Sequence, residues 1–345
     1  MKKRLSKILR TVLILVITGV LIYFAFQGIE LEELIQDLSE ANYWWVLWTV
    51  LLGWFAYVAR GLRWLILIDA MGYKANVWRS IHAVTIGYFT NLFIPRAGEI
   101  ARCTSLSQTD DIPVDKLFGT VIVERVIDFI ILGLFILAAL AVQFDNIMGF
   151  FAAVGEARSS ADPDGGSGLT ILMYCAGAIG LVLLIVFLAF RKRIIATTLF
   201  LKIRSFLVGV FDGMKTVYQM KRKGAFIVYT LLIWFAYFGM IYFNFFSLPN
   251  FDVLGVGDGV TMTVIGGLGM VVPSQGGIGS YHLAVSYGIT VLGTSYGVED
   301  LLNKQSGLTY ATLVHTSQTL MSLVAGSIAL FALYLARTRK NRSSE

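Results

Sequence analysis

Charged residues interrupt an apolar region next to a proline in the stretch GYFTNLFIPRAGEIAR, residues 87–102. Arg96 and Arg102 follow Pro95, and Glu99 lies about one helical turn from each arginine, where it can brace both. Proline favours the first turn of a helix, and a helix start carries free N–H groups and partial positive charge. The stretch therefore predicts a new helix beginning at Pro95, whose first turn can bind an anion.

A second break, residues 266–279, repeats this pattern farther along the chain. Pro273 is followed three residues later by Gly276, as Pro95 is by Gly98. Backbone that leaves the helix within hydrocarbon must be surrounded by protein or by a water-filled cavity. Paired Gly/Pro-interrupted apolar segments in two parts of a membrane protein indicate a substrate site between them. We therefore expect both breaks to face one shared cavity.

Further charged residues fall inside apolar segments. Arg60 and Arg63 are three residues apart, and Glu124 and Asp128 share one helical face with Arg125 beside them. Charges at such depth are rare and usually face a polar interior or a partner. Two interpretations remain open: a salt-bridge network that only fastens helices, or arginines that bind a phosphate in bidentate fashion while the carboxylates hold them in place. We favour the second.

These patterns yield one set of candidate substrate-binding residues and no candidate catalytic residue or metal ligand. The set is Arg60, Arg63, Asn91, Pro95, Arg96, Gly98, Glu99, Arg102, Glu124, Arg125, Asp128, Pro273, Gly276, Gly277, Gly279 and His282. His282 is included because it closely follows the glycine run. His82 and His315 are interpreted as packing residues, and the abundant aromatic residues as an interfacial belt.

The composition is that of an integral membrane protein. Hydrophobic residues make up 57% of the 345 residues and charged residues 14%, whereas a soluble domain has about 25% charged residues. Runs of about 18 apolar residues can cross the hydrocarbon core. We predict an all-α polytopic bundle that forms a single membrane domain over 1–345. Its six full spans lie near 11–27, 43–68, 118–142, 169–190, 224–247 and 308–336, and two broken segments, re-entrant or paired half-helices, lie near 79–107 and 259–293.

The distribution of charge predicts the orientation. Of the 28 Lys and Arg residues, all but Arg158 and Lys304 fall on the side of the N-terminus or at its boundary, and 13 of the 22 acidic residues fall on the other side. The positive-inside rule then places both termini in the cytoplasm, in a multi-pass protein of the cell membrane. The net charge of +6 thus indicates attraction to anionic lipid, not to nucleic acid. The amphipathic stretch 31–38 is predicted to form a short helix on the outer surface. The stretch 196–221 is predicted either to form an in-plane helix on the cytoplasmic surface or to be a linker packed on the bundle at that side.

The motifs at 91–102, 124–128 and 273–279 together resemble a known family. It is the flippase-like transmembrane domain of bacterial lysylphosphatidylglycerol synthases, the multiple peptide resistance factor, and the likeness covers nearly the whole chain. The resemblance implies re-entrant helices and movement of a lipid between leaflets. It also implies a stand-alone member without the soluble aminoacyl-transferase domain. The chain differs from many relatives in having Gln275 and His282 where they have a proline and a glutamate.

Three functions are compatible with these features. We expect a transporter that translocates a phosphate-bearing lipid, either a phospholipid or a polyprenyl-phosphate-linked lipid, and that uses no cofactor. The alternative is a non-transporting scaffold, or a lipid-presenting partner of a glycosyltransferase or lipid-modifying enzyme. An intramembrane enzyme with Glu124, Asp128 or His282 as acid and base is less favoured, because no nucleophile elbow, HExxH pair or nucleotide-binding P-loop is present in the sequence.

Overall fold

A computed structural model describes residues 15–161, 220–272 and 274–343, and the regular structure in these ranges is entirely helical. The ten α-helices are α1 Leu15–Phe26, α2 Leu31–Glu40, α3 Tyr43–Ala70, α4 Val77–Phe93, α5 Gly98–Asp110, α6 Val114–Ala161, α7 Lys223–Phe245, α8 Val256–Val271, α9 Ser280–Tyr296 and α10 Lys304–Ser343. The predicted all-α class is confirmed. The expected span near 169–190, most of the amphipathic stretch 196–221, and Pro273 lie outside the described residues.

Four helices are long and apolar enough to cross a membrane: α3, α7, Val114–Asp145 of α6 and Lys304–Thr338 of α10. The pair α1 and α2 also passes this test jointly, although the two helices meet at 83°. The bend arises because α2 is amphipathic, with Leu34 buried against Ala25 and Leu308 while Glu32, Glu33 and Glu40 remain exposed. These helices are those of a membrane protein, and the predicted helix at 31–38 is confirmed.

Contacts between distant parts of the chain define two ends of the bundle. At one end the backbone N–H of Asn42 donates to Ser247 at 2.8 Å, and Glu30 exchanges hydrogen bonds with Gln305. We call it the acidic end, because its connections carry acidic residues such as Glu30, Asp252 and Asp300. At the opposite, basic end, Arg337 donates to Gln108 at 3.0 Å. The basic end corresponds to the side that the charge distribution assigns to the cytoplasm.

The two broken segments form hairpins that enter the bundle from opposite ends. Helices α4 and α5 make the first hairpin, which begins and finishes at the basic end, and α8 and α9 make the second, which begins and finishes at the acidic end. Their tips meet inside the bundle. Gly276 packs against Leu92, so that an added Cβ would lie 3.9 Å from the Leu92 Cα, and Arg96 Nη2 donates to the Val271 carbonyl at 3.3 Å.

The turn of the first hairpin differs from the prediction. Helix α5 begins at Gly98 and not at Pro95, because Arg96 has a left-handed backbone with φ of 63° and therefore cannot belong to a helix. The Asn91 side chain accepts a hydrogen bond from the Gly98 N–H at 2.8 Å, which satisfies one free donor of the new helix. A Cβ on Gly98 would collide with the Gly87 carbonyl, so the close approach of α4 and α5 requires glycine.

Candidate functional site

Seven charged side chains from three helices converge beside the first hairpin. Helix α3 contributes two arginines, α5 contributes a glutamate and an arginine, and α6 contributes two carboxylates and an arginine. We call this group the ion cluster: Arg60, Arg63, Glu99, Arg102, Glu124, Arg125 and Asp128. The cluster contains four cations and three anions, so it carries one surplus positive charge.

The centre of the cluster is a fully buried arginine. Arg63 Nη1 lies 2.8 Å from Asp128 Oδ1, and its Nε lies 3.3 Å from Glu124 Oε1. It also donates to the Thr230 hydroxyl at 3.3 Å, and its guanidinium lies over the Phe226 ring. The i, i+4 spacing of Glu124 and Asp128 explains this geometry, because it presents both carboxylates on one face of α6 toward α3.

Arg102 attaches the first hairpin to the cluster. Its Nη2 lies 2.6 Å from Glu124 Oε2, and its Nε lies 2.6 Å from Glu99 Oε2 on the same helix. Its guanidinium stacks over Trp64, with the carbon 4.8 Å from the ring centroid, and the indole in turn donates to the Thr120 hydroxyl. Glu124 is therefore shared between α3 and α5 and joins the hairpin to the long helices.

Tyrosine side chains complete the cluster on the side of Arg60. The Arg60 Nη2 lies 3.0 Å from Asp128 Oδ2, and its Nε donates to the Tyr237 hydroxyl at 2.8 Å. The Tyr88 and Tyr237 hydroxyls are 2.9 Å apart, and Tyr57 stacks on Tyr88. Sequence reasoning missed these tyrosines and Trp64, because it assigned the aromatic residues to the membrane interface.

One edge of the cluster is accessible. The Arg125 side chain is 45% exposed and the Glu99 side chain 31%, while Arg63 and Glu124 are fully buried. Arg125 lies 3.4 Å from Glu99 and 3.3 Å from Asp128, so its ion pairs are longer than those of Arg102. A cavity of about 70 Å³ opens at this edge, and its lining includes Arg60, Tyr88, Asn91, Gly98, Glu99, Arg102 and Arg125.

The remaining candidate residues lie elsewhere. Arg96 is exposed at the tip of the first hairpin, beside Pro95, and has no ion pair to Glu99. Gly276, Gly277 and Gly279 have φ of 61°, 83° and 83° and form the turn of the second hairpin, which leads into His282. The structure thus brings the charged candidates of α3, α5 and α6 together, and it places the glycines and His282 in a separate group around the second tip.

Known proteins resemble this chain in sequence. Residues 11–326 match the family described as the lysylphosphatidylglycerol synthase TM region. The chain belongs to this family. One relative, the UPF0104 membrane protein MJ1595 of Methanocaldococcus jannaschii, is 30% identical over 152 residues, which is 43% of this chain and 43% of that protein. The similar part is thus less than half of the relative's length. No solved structure matches the chain.

Family membership confirms the resemblance noted in the sequence. The matching region is the membrane part of the synthases, as its description states, so the family assigns this chain to membrane proteins and not to a soluble catalytic domain. Within residues 15–161, 220–272 and 274–343, no group of three His, Cys, Asp or Glu side chains could hold a metal ion. Cys103, which is buried in α5, is a free thiol.

Proposed function

We propose that this protein moves a lipid with a phosphate-bearing headgroup between the leaflets of the cell membrane, without chemical conversion of the lipid. The observation that carries the proposal is the ion cluster, which has a surplus positive charge and one accessible edge next to a re-entrant hairpin. Buried charges persist in membrane proteins mainly where they bind a partner or serve a pathway. The family match to a synthase membrane region supports the same reading.

The accessible edge suits a phosphate. Glu99 is a partly exposed carboxylate that lies within ion-pair distance of both Arg102 and Arg125. A phosphodiester oxygen that displaced Glu99 would meet two guanidinium groups, which bind phosphate oxygens through paired N–H donors. The charge also matches, because a phosphodiester carries a single negative charge, as Glu99 does, and can take the place of that carboxylate without changing the net charge of the cluster.

The buried part of the cluster supports this role by fixing the arginines. Glu124 and Asp128 hold Arg60, Arg63 and Arg102 through contacts of 2.6–3.3 Å. Guanidinium groups held in this way need little reorganisation when an anion arrives, which favours binding. The salt-bridge interpretation and the phosphate interpretation therefore describe different parts of one cluster, its buried centre and its accessible edge.

Transport of labelled lipid in proteoliposomes tests the proposal. Arg125→Gln removes the accessible guanidinium, and we expect exchange of labelled phosphatidylglycerol to fall about tenfold or more, corresponding to about 1.4 kcal/mol of lost binding. Arg79→Gln is the matched control, because Arg79 is a partly exposed arginine that pairs with Asp110 at the basic end, outside the cluster. Equal exchange in the two variants would discard the assigned role of Arg125.

The wild-type protein distinguishes transport from the scaffold alternative. Transport requires exchange that depends on the protein and leaves the mass of the lipid unchanged. A wild-type protein that binds anionic lipid but shows no exchange, and that co-purifies with a glycosyltransferase or lipid-modifying enzyme, would instead support lipid presentation to that partner. A change in the lipid mass would support an enzyme.

A further inference from the structure

Three ring side chains gather behind the tip of the second hairpin, separate from the ion cluster. The imidazoles of His282 and His315 have their centroids 5.0 Å apart, and the Tyr281 ring lies 5.5 Å from His315. His282 and Tyr281 are each only 6% exposed. The group combines α9 with α10, so residues more than thirty positions apart in the chain form one polar pocket.

The hydrogen bonds of this group are incomplete. His315 Nε2 lies 2.9 Å from the Gly276 carbonyl, and because a carbonyl can only accept, this nitrogen carries the hydrogen. Within the described residues, His282 Nδ1 and the Tyr281 hydroxyl are buried and have no hydrogen-bond partner. Buried polar atoms normally have a hydrogen-bond partner. The pocket therefore has unused capacity to bind a proton and to distribute its charge.

We propose that His282 and His315 together bind a single proton and form a buried proton site attached to the second hairpin. The first proton converts one imidazole into a cation, and on His315 this cation donates its Nε2–H to the Gly276 carbonyl. A second proton would place two like charges about 5 Å apart in a poorly solvated pocket, which is strongly unfavourable. The pair therefore binds its first proton more readily than its second.

Several charged and titratable groups on the described elements around the pair are held by other partners. On α10, Tyr310 donates to the Ile241 carbonyl, and on α8 the carboxylate of Asp258 is occupied by Gln143, Tyr296 and the Gly255 N–H. Helix α1 presents the Thr18 hydroxyl to the Gln275 N–H. The ion cluster holds Glu99, Arg102, Glu124, Arg125 and Asp128 of α5 and α6. Asp37 of α2 accepts a hydrogen bond from Thr309 of α10, and the guanidinium of Arg96, at the first tip, is held at Val271.

The proton site is placed to influence the contact between the hairpins. Gly276 accepts the His315 hydrogen bond and also packs against Leu92 of the first tip. A hydrogen bond from an imidazolium is stronger than one from a neutral imidazole. Proton binding should therefore strengthen the attachment of the second tip, and proton release should loosen it. An effect of this attachment on lipid movement would rest on the proposed function, whereas the proton site itself does not.

Nuclear magnetic resonance of histidine tests the site directly, since the chain has three histidines. Protein labelled with ¹⁵N-histidine in nanodiscs is titrated from roughly pH 4 to 9, which covers ordinary and perturbed histidines. We expect the signals of His282 and His315 to follow the same two titration steps. In His282→Gln the signal of His315 should follow a single step, whereas in His82→Gln both steps should persist.

Other results of this titration would contradict the proposed proton site. If His282 and His315 titrate in independent single steps, or if neither titrates in this range, the two residues do not share a proton. His315→Gln is a second variant that can retain a donor to Gly276 and so preserve the fold, and it should leave His282 with one step. The titration needs no transport, so coupled steps without lipid exchange would retain the proton site and discard the transporter. Lipid exchange without coupled titration steps would retain the transporter and discard the proton site.

Discussion

The first hairpin is anchored by charged groups, whereas the second is anchored by neutral donors. In the first, Arg102 joins α5 to Glu124 of α6 through an ion pair of 2.6 Å. In the second, the buried carboxylate of Asp258 accepts hydrogen bonds from Gln143, Tyr296 and the Gly255 N–H, at 2.8–2.9 Å. The comparison shows that two hairpins of similar length can be fixed in one bundle by different chemistry.

The two kinds of anchoring differ in the free energy that is needed to break them. Moving α5 away from α6 would separate buried opposite charges, which is very costly because each charge would be left without a partner. Moving the tip of the second hairpin would break two hydrogen bonds, from His315 to the Gly276 carbonyl and from the Arg96 guanidinium to the Val271 carbonyl, and each contributes only about 1–3 kcal/mol. We therefore expect the second tip to be displaced more readily than α5.

The strongest test of this difference is Glu124→Gln. The substitution preserves shape but leaves Arg63 and Arg102 without a shared counter-charge, so we expect a loss of about 3–5 kcal/mol in the free energy of unfolding. Thermal unfolding in detergent measures it. Glu40→Gln, on the exposed surface of α2, is the matched control and should change stability by no more than about 0.5 kcal/mol. A loss equal to that of the control would show that the buried ion pairs do not anchor α5.

A smaller effect is expected where the two helices of the first hairpin touch. Gly98→Ala places a methyl group against the Gly87 carbonyl and the Asn91 side chain, and overpacking of this kind costs about 2 kcal/mol. The control is Gly119→Ala in α6, where nothing lies within 4 Å of the new Cβ. Alanine there should be neutral or slightly stabilising, because it favours helix more than glycine does. If both variants unfold alike, the close approach of α4 and α5 is not required.

The smallest effect is expected at the acidic end of the second hairpin. Asp258→Asn keeps one oxygen acceptor but presents an NH₂ group to the donors around it, and we expect a loss of about 1 kcal/mol. Asp300→Asn, an exposed residue at the same end, serves as the control with a change near zero. Unfolding is measured as for Glu124→Gln. A loss as large as that of Glu124→Gln would remove the contrast between charged and neutral anchoring.

The local spacing of charges predicted part of the site. Helical periodicity places Glu124 and Asp128 on one face of α6, and it places the two arginines of α3 one turn apart. The sequence could therefore indicate that these residues act together. The bond from Arg102 to Glu124 could not be predicted, because it depends on how α5 folds back against α6. Trp64 could not be distinguished from the interfacial aromatic residues, since no local pattern marks a ring that stacks on an arginine.

The existence of the two breaks could also be predicted from the sequence, but the backbone conformation of their turns could not. Pro95 and the glycines indicated broken segments, re-entrant or paired half-helices, near 79–107 and 259–293, and the structure shows each as a hairpin of two helices. The helix start was wrong by three residues, because the reversal at Arg96 requires a left-handed backbone that only the folded hairpin imposes. His315 was interpreted as a packing residue, since its contact with Gly276 joins distant parts of the chain.

The contact between Leu92 and Gly276 restricts how the two hairpins can move together. Both tips reach the same depth from opposite faces, so neither can advance along its axis unless the other retreats. Such a reciprocal stop would couple the displacement of one hairpin to that of the other.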